Sequence, residues 1–163
     1  MSNLGESSPV EAFDIRKIIK HQRNRYPVLL VDRLLFVDPG KSVRGLKCFS
    51  YNEWFFPGHF DDEPNVPGFV QVECLAQTFI MTFLCMDEYV GMKTNFISIN
   101  NMQFKKKITP GDVLITNATL TSFKRGIAKG SATGTVEGGL ACSADFIICV
   151  PDIMEKFRPV SGG

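Results

Sequence analysis

The stretch FFPGHFDDEPNVPGFVQVECLAQ (55–77) holds two side chains of the types and spacing that move protons: the imidazole of His59 and, fourteen residues on, the carboxylate of Glu73. His59, one of two histidines, sits between Gly58 and Phe60 among proline-containing turns. That setting suits a ring held at a loop tip, with one nitrogen fixed by a backbone carbonyl. Glu73 interrupts an otherwise apolar run. A carboxyl in a dry helical environment loses hydration, its charged form is disfavoured, and a Glu kept protonated near neutral pH can donate to a leaving group. Gln77, four residues on and on the same helical face, can hydrogen-bond Glu73 or a water beside it. Two plainer readings stay open here: Glu73 on a solvated helix edge, and His59 as a structural loop residue.

Pro67-Gly68 adds a third element. Proline in the first helical turn leaves adjacent N–H groups free and pointing outward, and glycine lets a substrate approach that backbone closely. Such a helix start can donate to a carbonyl that gains negative charge, although it also reads as a plain helix start. Base, acid and donor then fall within fifteen residues. That set matches the elimination of water from a β-hydroxyacyl thioester, a reaction that needs no metal or redox cofactor.

The elements that must position these groups follow from periodicity. FVQVECLAQTFIMTFLCM (69–86) spans about five turns of helix and is apolar nearly all round, so other structure must cover it. Eighteen residues are too many for a buried strand in a domain of this size. Upstream, PVEAFDIRKIIKHQ (9–22) reads as an amphipathic helix opened by Pro9, with His21 as a solvated or helix-terminal charge. YPVLLVDRLLFVD (26–38) and KSVRGLKCFS (41–50) read as strands around Asp38-Pro39-Gly40, and 56–68 as a loop. Downstream come strands at 95–104, 112–123, 126–137 and 140–150, with turns at Lys124-Arg125-Gly126 and Glu137-Gly138-Gly139. The expected architecture is α+β: one domain over 1–163, with 1–8 a flexible tail, in which a curved antiparallel sheet wraps a long central helix.

Composition narrows the function. With 44% hydrophobic and 21% charged residues the chain is globular, and a net charge of +1 speaks against binding nucleic acid by broad attraction. The five cysteines form no CxxC pair and give no zinc pattern with the two histidines. Their odd number, without an apolar leader at the N-terminus, favours reduced thiols in the cytoplasm. Gln71, Glu73 and Gln77 within the longest apolar run argue against a membrane span.

The motif GHF, followed by Pro-Gly, Glu73 and Ala76-Gln77, resembles the active-site signature of the β-hydroxyacyl-acyl-carrier-protein dehydratases of type II fatty-acid synthesis, which have the hot-dog fold. NRYPVLLVDRLL before it, and MQFKKKITPGD, KRG and ACSADFIICV after it, extend the likeness over roughly residues 15–150. The resemblance implies His59 as general base, Glu73 as the acid acting on the hydroxyl, the Gly68 N–H as carbonyl donor and Gln77 in support. It implies an acyl carrier protein (or CoA) thioester substrate and a homodimer, with three dimers in a hexamer, whose catalytic pair comes from different subunits. An apolar acyl tunnel would lie at that interface, with Phe69, Phe96 and Phe104 as wall candidates or ordinary core residues. Lys105, Lys106, Lys107, Lys124 and Arg125 are candidates for docking an acidic carrier. One departure is local: the family reads HFPG where this chain reads HFDDEP. Asp61, Asp62 and Glu63 would push the His59 pKa upward or repel an acidic carrier. Competing expectations are a hot-dog acyl-thioester hydrolase and a non-catalytic acyl-binding subunit.

Overall fold

The apolar run after Pro67 folds as α2 (Gly68–Leu84), and in the computed structural model, which describes residues 10–159, the other elements are laid around it. Its 17 residues reach about 25 Å at 1.5 Å each. Every residue from Cys74 to Leu84 is buried. The first turns differ: Phe69 is exposed, while Val72 and Glu73 are half-buried. These positions share one face of the helix, so the strip that carries Glu73 is the strip the sheet leaves uncovered.

The sheet has seven antiparallel strands in the order β1-β2-β3-β5-β6-β7-β4. They are β1 (Val10–Phe13), β2 (Arg33–Asp38), β3 (Ser42–Cys48), β4 (Asn95–Phe104), β5 (Val113–Lys124), β6 (Ile127–Val136) and β7 (Gly139–Cys149). After the helix the chain enters at one sheet edge with β4, crosses to β5 in the middle and meanders back. Arg125-Gly126 and Glu137-Gly138 make the two hairpin turns with both residues at positive φ, the turn whose twist matches the flanking strands. Aromatic pairs fasten helix to sheet: Phe79 stacks on Phe146 at 5.6 Å and Phe83 on Phe123 at 4.9 Å. Gly130 permits this approach, because a Cβ there would stand 2.1 Å from Thr119 O and 2.6 Å from the Phe79 ring.

Three expectations need correction. The N-terminal segment is not one helix: β1 pairs with β2, and α1 (Ile15–His21) starts only after Asp14, whose carboxylate accepts the Lys17 N–H at 2.9 Å as an N-cap. Pro9 and the expected tail lie outside the described residues. Residues 26–32 form no strand, because Pro27 has no N–H and the neighbouring groups bond to Gln77 rather than to a ladder. His21 is buried rather than solvated, packed 5.0 Å from the Phe13 ring with Nδ1 2.8 Å from Lys17 O. A short helix, α3 (Pro151–Met154), and a 3-10 turn (Glu155–Phe157) follow β7 and had no clear sequence signal.

All five cysteines are free. Burial pushes the Cys85 and Cys142 thiols up to about 12 and the Cys74 thiol higher still, so these three are packing residues rather than nucleophiles. Among the described residues no helix is long and apolar enough to cross a membrane.

Candidate active site

His59 ends the 3-10 turn Phe56–Gly58 and is half-buried. Its Nδ1 lies 3.0 Å from Asn65 O, and the Asn65 N–H returns a bond to His59 O at 2.9 Å. A carbonyl can only accept, so Nδ1 carries the proton and the Nε2 of the neutral ring holds the free lone pair. The loop has its own bracing. The Asn65 side-chain amide donates to Glu63 O at 3.1 Å, and the Glu63 carboxylate is ion-paired with Lys107 across the gap to the β4–β5 connection. Lys107 holds the Glu63 carboxyl below its ordinary range, chiefly through that hydrogen bond.

His59 lines an open recess of about 340 Å³ with Gly68, Gln71, Phe104 and Lys105–Lys107. Pro67 is the N-cap of α2 and Gly68 its first residue, so helix geometry leaves the Gly68 N–H without an intrahelical acceptor. The Phe104 ring lies over that glycine, 2.9 Å from where a Cβ would be. Base and carbonyl donor therefore share one recess.

Glu73 lies elsewhere. Its Oε1 accepts from the Gln77 amide at 2.8 Å and from the Asn24 amide at 3.3 Å. Gln77 is in turn saturated, because Nε2 also donates to Val28 O at 2.6 Å and Oε1 accepts the Leu30 N–H at 2.9 Å. These bonds join the helix to the irregular 24–31 segment and leave Glu73 Oε2 without a partner among the described residues. The carboxyl faces an apolar cavity of about 600 Å³ whose walls include Val28, Trp54, Phe69, Phe96 and Ile99. A second cavity of about 120 Å³ lies on its polar side, with Asn24, Gln77, Thr94 and Asn95.

Glu73 is absent from the lining of the His59 recess, and His59 from both cavities that Glu73 lines. Phe69 and Phe96 wall the Glu73 cavity and Phe104 the His59 recess, and all three are exposed rather than core. The basic candidates also divide. Lys105, Lys106 and Lys107 stand at the His59 recess, with Lys106 paired to Glu137 at 3.7 Å and Lys107 to Glu63. Lys124 ends β5 and Arg125 opens the β5–β6 turn, next to Phe123 and toward the C-terminal half of α2, with the Arg125 guanidinium 5.9 Å from the Phe157 ring. Sequence reading missed Asn24, forty-nine residues from its carboxylate partner. It also missed Trp54 and Val28 as walls. The only available signal was that Asn24 and Val28 fall inside NRYPVLLVDRLL, a stretch already marked by the resemblance.

Known proteins resemble this chain in sequence and in fold. The FabA-like domain matches residues 23–145, from just before Asn24 to Asp145 in β7. A 3-hydroxyacyl-acyl-carrier-protein dehydratase FabZ of Clostridium botulinum is 42% identical over 137 residues, which cover 84% of this chain and 93% of that protein. The FabZ dehydratase of Caldicellulosiruptor saccharolyticus is 38% identical over 138 residues, covering 85% and 99%. In shape, the chain matches the dehydratase heterocomplex ApeI:P of Xenorhabdus doucetiae with a TM-score of 0.70 over 82% of this chain and 90% of that one. Identity there is 14%, so that likeness is one of fold.

Proposed function

We propose that this chain, which belongs to the FabA-like domain family, is a hot-dog lyase of fatty-acid synthesis that dehydrates (3R)-hydroxyacyl thioesters on acyl carrier protein to trans-2-enoyl thioesters. His59 Nε2 removes the proton α to the thioester carbonyl. The Gly68 N–H holds the carbonyl oxygen as negative charge builds on it. The electron pair then forms the Cα–Cβ double bond, the Cβ–O bond breaks, and Glu73 protonates the departing hydroxyl as water. Solvent returns the proton from His59 to Glu73 between turnovers. Asn24 and Gln77 aim the carboxyl by occupying Oε1, so that Oε2 faces the substrate.

The observation that carries the mechanism is the separation of the two halves: His59 with Gly68 on one recess, Glu73 with Gln77 on another. Acid and base can meet if a second copy brings its recess against the Glu73 cavity. We infer a two-fold homodimer with two composite sites, each taking His59 from one subunit and Glu73 from its partner. Exposed apolar side chains surround the Glu73 cavity, with Val28 51%, Trp54 48%, Phe69 62% and Phe96 48% exposed, more than a lone soluble chain leaves together without cause. The edge strand β4 adds Ile99, 40% exposed, to that surface and leaves an unpaired row of backbone groups among the described residues. Residues 10–159 act as one domain in this reading, and the protein works in the cytoplasm beside its carrier.

The test offers purified protein β-hydroxyacyl and saturated acyl thioesters side by side. Enoyl absorbance from the first with no thiol release from either is the expected result. Free thiol from both would mean hydrolysis and overturn the reading.

A further inference from the structure

A recess of about 480 Å³ opens on the far side of Asn24, walled by Arg23, Arg25, Tyr26, Met92 and Lys93 among others, with no carboxylate in its lining. Its cations are held differently from those near His59. Arg23 Nε donates to Gly91 O at 2.6 Å, which fixes the guanidinium and leaves its two terminal nitrogens without a partner among the described residues. Arg25 is tied down by the carbonyls of Ile19, Gln22 and Asn24 and contributes a positive charge at a fixed place. Lys93 has no ion-pair partner among the described residues, whereas Lys106 and Lys107 both do.

The recess adjoins the candidate site. Asn24, Ile80, Thr94 and Asn95 line both it and the 120 Å³ cavity that reaches Glu73 and Gln77. Glu73 and Phe96 in turn line both that cavity and the 600 Å³ apolar one. Three cavities thus adjoin through shared walls, one apolar, one with Asn24, Gln77, Thr94 and Asn95 among its walls, and one cationic, with Glu73 between the first two. A pantetheine thioester has the same order of chemistry: an acyl chain, the β-hydroxyl and thioester, an arm with two amides, and a phosphate. We propose that the Arg23–Arg25–Lys93 recess binds the phosphate of the substrate's pantetheine arm, which runs to Glu73 through the polar throat. The inference rests on the dehydratase reading for the identity of the substrate. A guanidinium fork with free terminal nitrogens matches a phosphate's paired oxygens, and Lys93 adds a point charge.

The test compares short 3-hydroxyacyl thioesters of pantetheine and of 4′-phosphopantetheine on the wild-type protein, Arg23→Ala and Lys93→Glu. Lys93→Glu breaks no bond among the described residues, so it keeps the test valid should Arg23→Ala fail to fold. In the wild type, phosphate should raise kcat/KM, mainly through KM. In each variant the ratio of phosphorylated to unphosphorylated kcat/KM should fall about tenfold, the scale of one lost charge-assisted contact. Calorimetric titration with 4′-phosphopantetheine alone should show a matching loss of affinity. No phosphate advantage in the wild type, or an equal fall with both thioesters, would overturn the proposal. With carrier-bound substrate run alongside, a loss confined to that substrate would also overturn it and assign the cations to the carrier's protein surface. If no thioester gives an enoyl product, the lyase reading fails, and the titration still decides whether the recess binds phosphate.

Discussion

At single residues, each catalytic group depends on the neighbours that hold it: Asn65 for His59, Asn24 and Gln77 for Glu73. Glu73→Gln keeps size and hydrogen bonding, so folding should survive while dehydration falls by about 10²-fold or more; His59→Ala should lose a similar factor. Full turnover by Glu73→Gln would remove Glu73 as the acid. The Glu63–Lys107 pair makes a smaller prediction, because both groups are exposed and such pairs contribute little. Glu63→Lys and Lys107→Glu should each lower kcat by no more than about fivefold through a looser His59 loop, and the double swap should restore it. Because Lys107 depresses the Glu63 pKa, the pair is fully formed above the ordinary Glu range and is lost as pH falls through the lowered folded value. A swap that restores nothing would separate Glu63 from His59. His59, Glu73, Gly68 and Gln77 were all legible as candidates in the sequence because their types are unusual where they stand. The Asn24 and Lys107 contacts were not, since each closes a distance of more than forty residues that local pattern cannot measure.

At the scale of elements, the helix and the four later strands were legible because their periodicity is strong, and β4 was placed at 95–104 as observed. The stretch 26–32 was misread for a physical reason: its apolar run looks like a strand, yet a single glutamine side chain takes its backbone bonds. Gln77→Ala should therefore cost stability as well as activity, since it strips partners from Val28 O and the Leu30 N–H, an effect to be read as a lower urea midpoint. Gly130 carries a sharper prediction for the sheet. A methyl there meets the Thr119 carbonyl and the Phe79 ring, so Gly130→Ala should destabilise by about 1–3 kcal/mol, the usual cost of overpacking, with no change in KM for protein that remains folded. An unchanged urea midpoint would mean that helix and sheet are packed less closely than described.

At the scale of the whole molecule, the question is how two half-sites become one. The separation of His59 from Glu73 was implied by the resemblance, which draws the pair from two subunits, and not by residue order, because nothing in that order says which cavity a side chain lines. Charge reversal at Lys124 and Arg125 should impair carrier-bound substrate more than a short free thioester, and added salt should blunt the difference; equal effects would exclude that turn as a docking surface. The composite site is tested most directly by mixing two inactive proteins, His59→Ala and Glu73→Gln, after confirming subunit exchange with differently tagged chains. Random pairing makes about half of the dimers mixed, and each mixed dimer holds one intact site and one doubly damaged site. The account predicts that about a quarter of wild-type sites, and with them about a quarter of wild-type dehydration, returns on mixing. Verified exchange with no recovered activity would contradict it, because it would place His59 and Glu73 of the same chain in the same site.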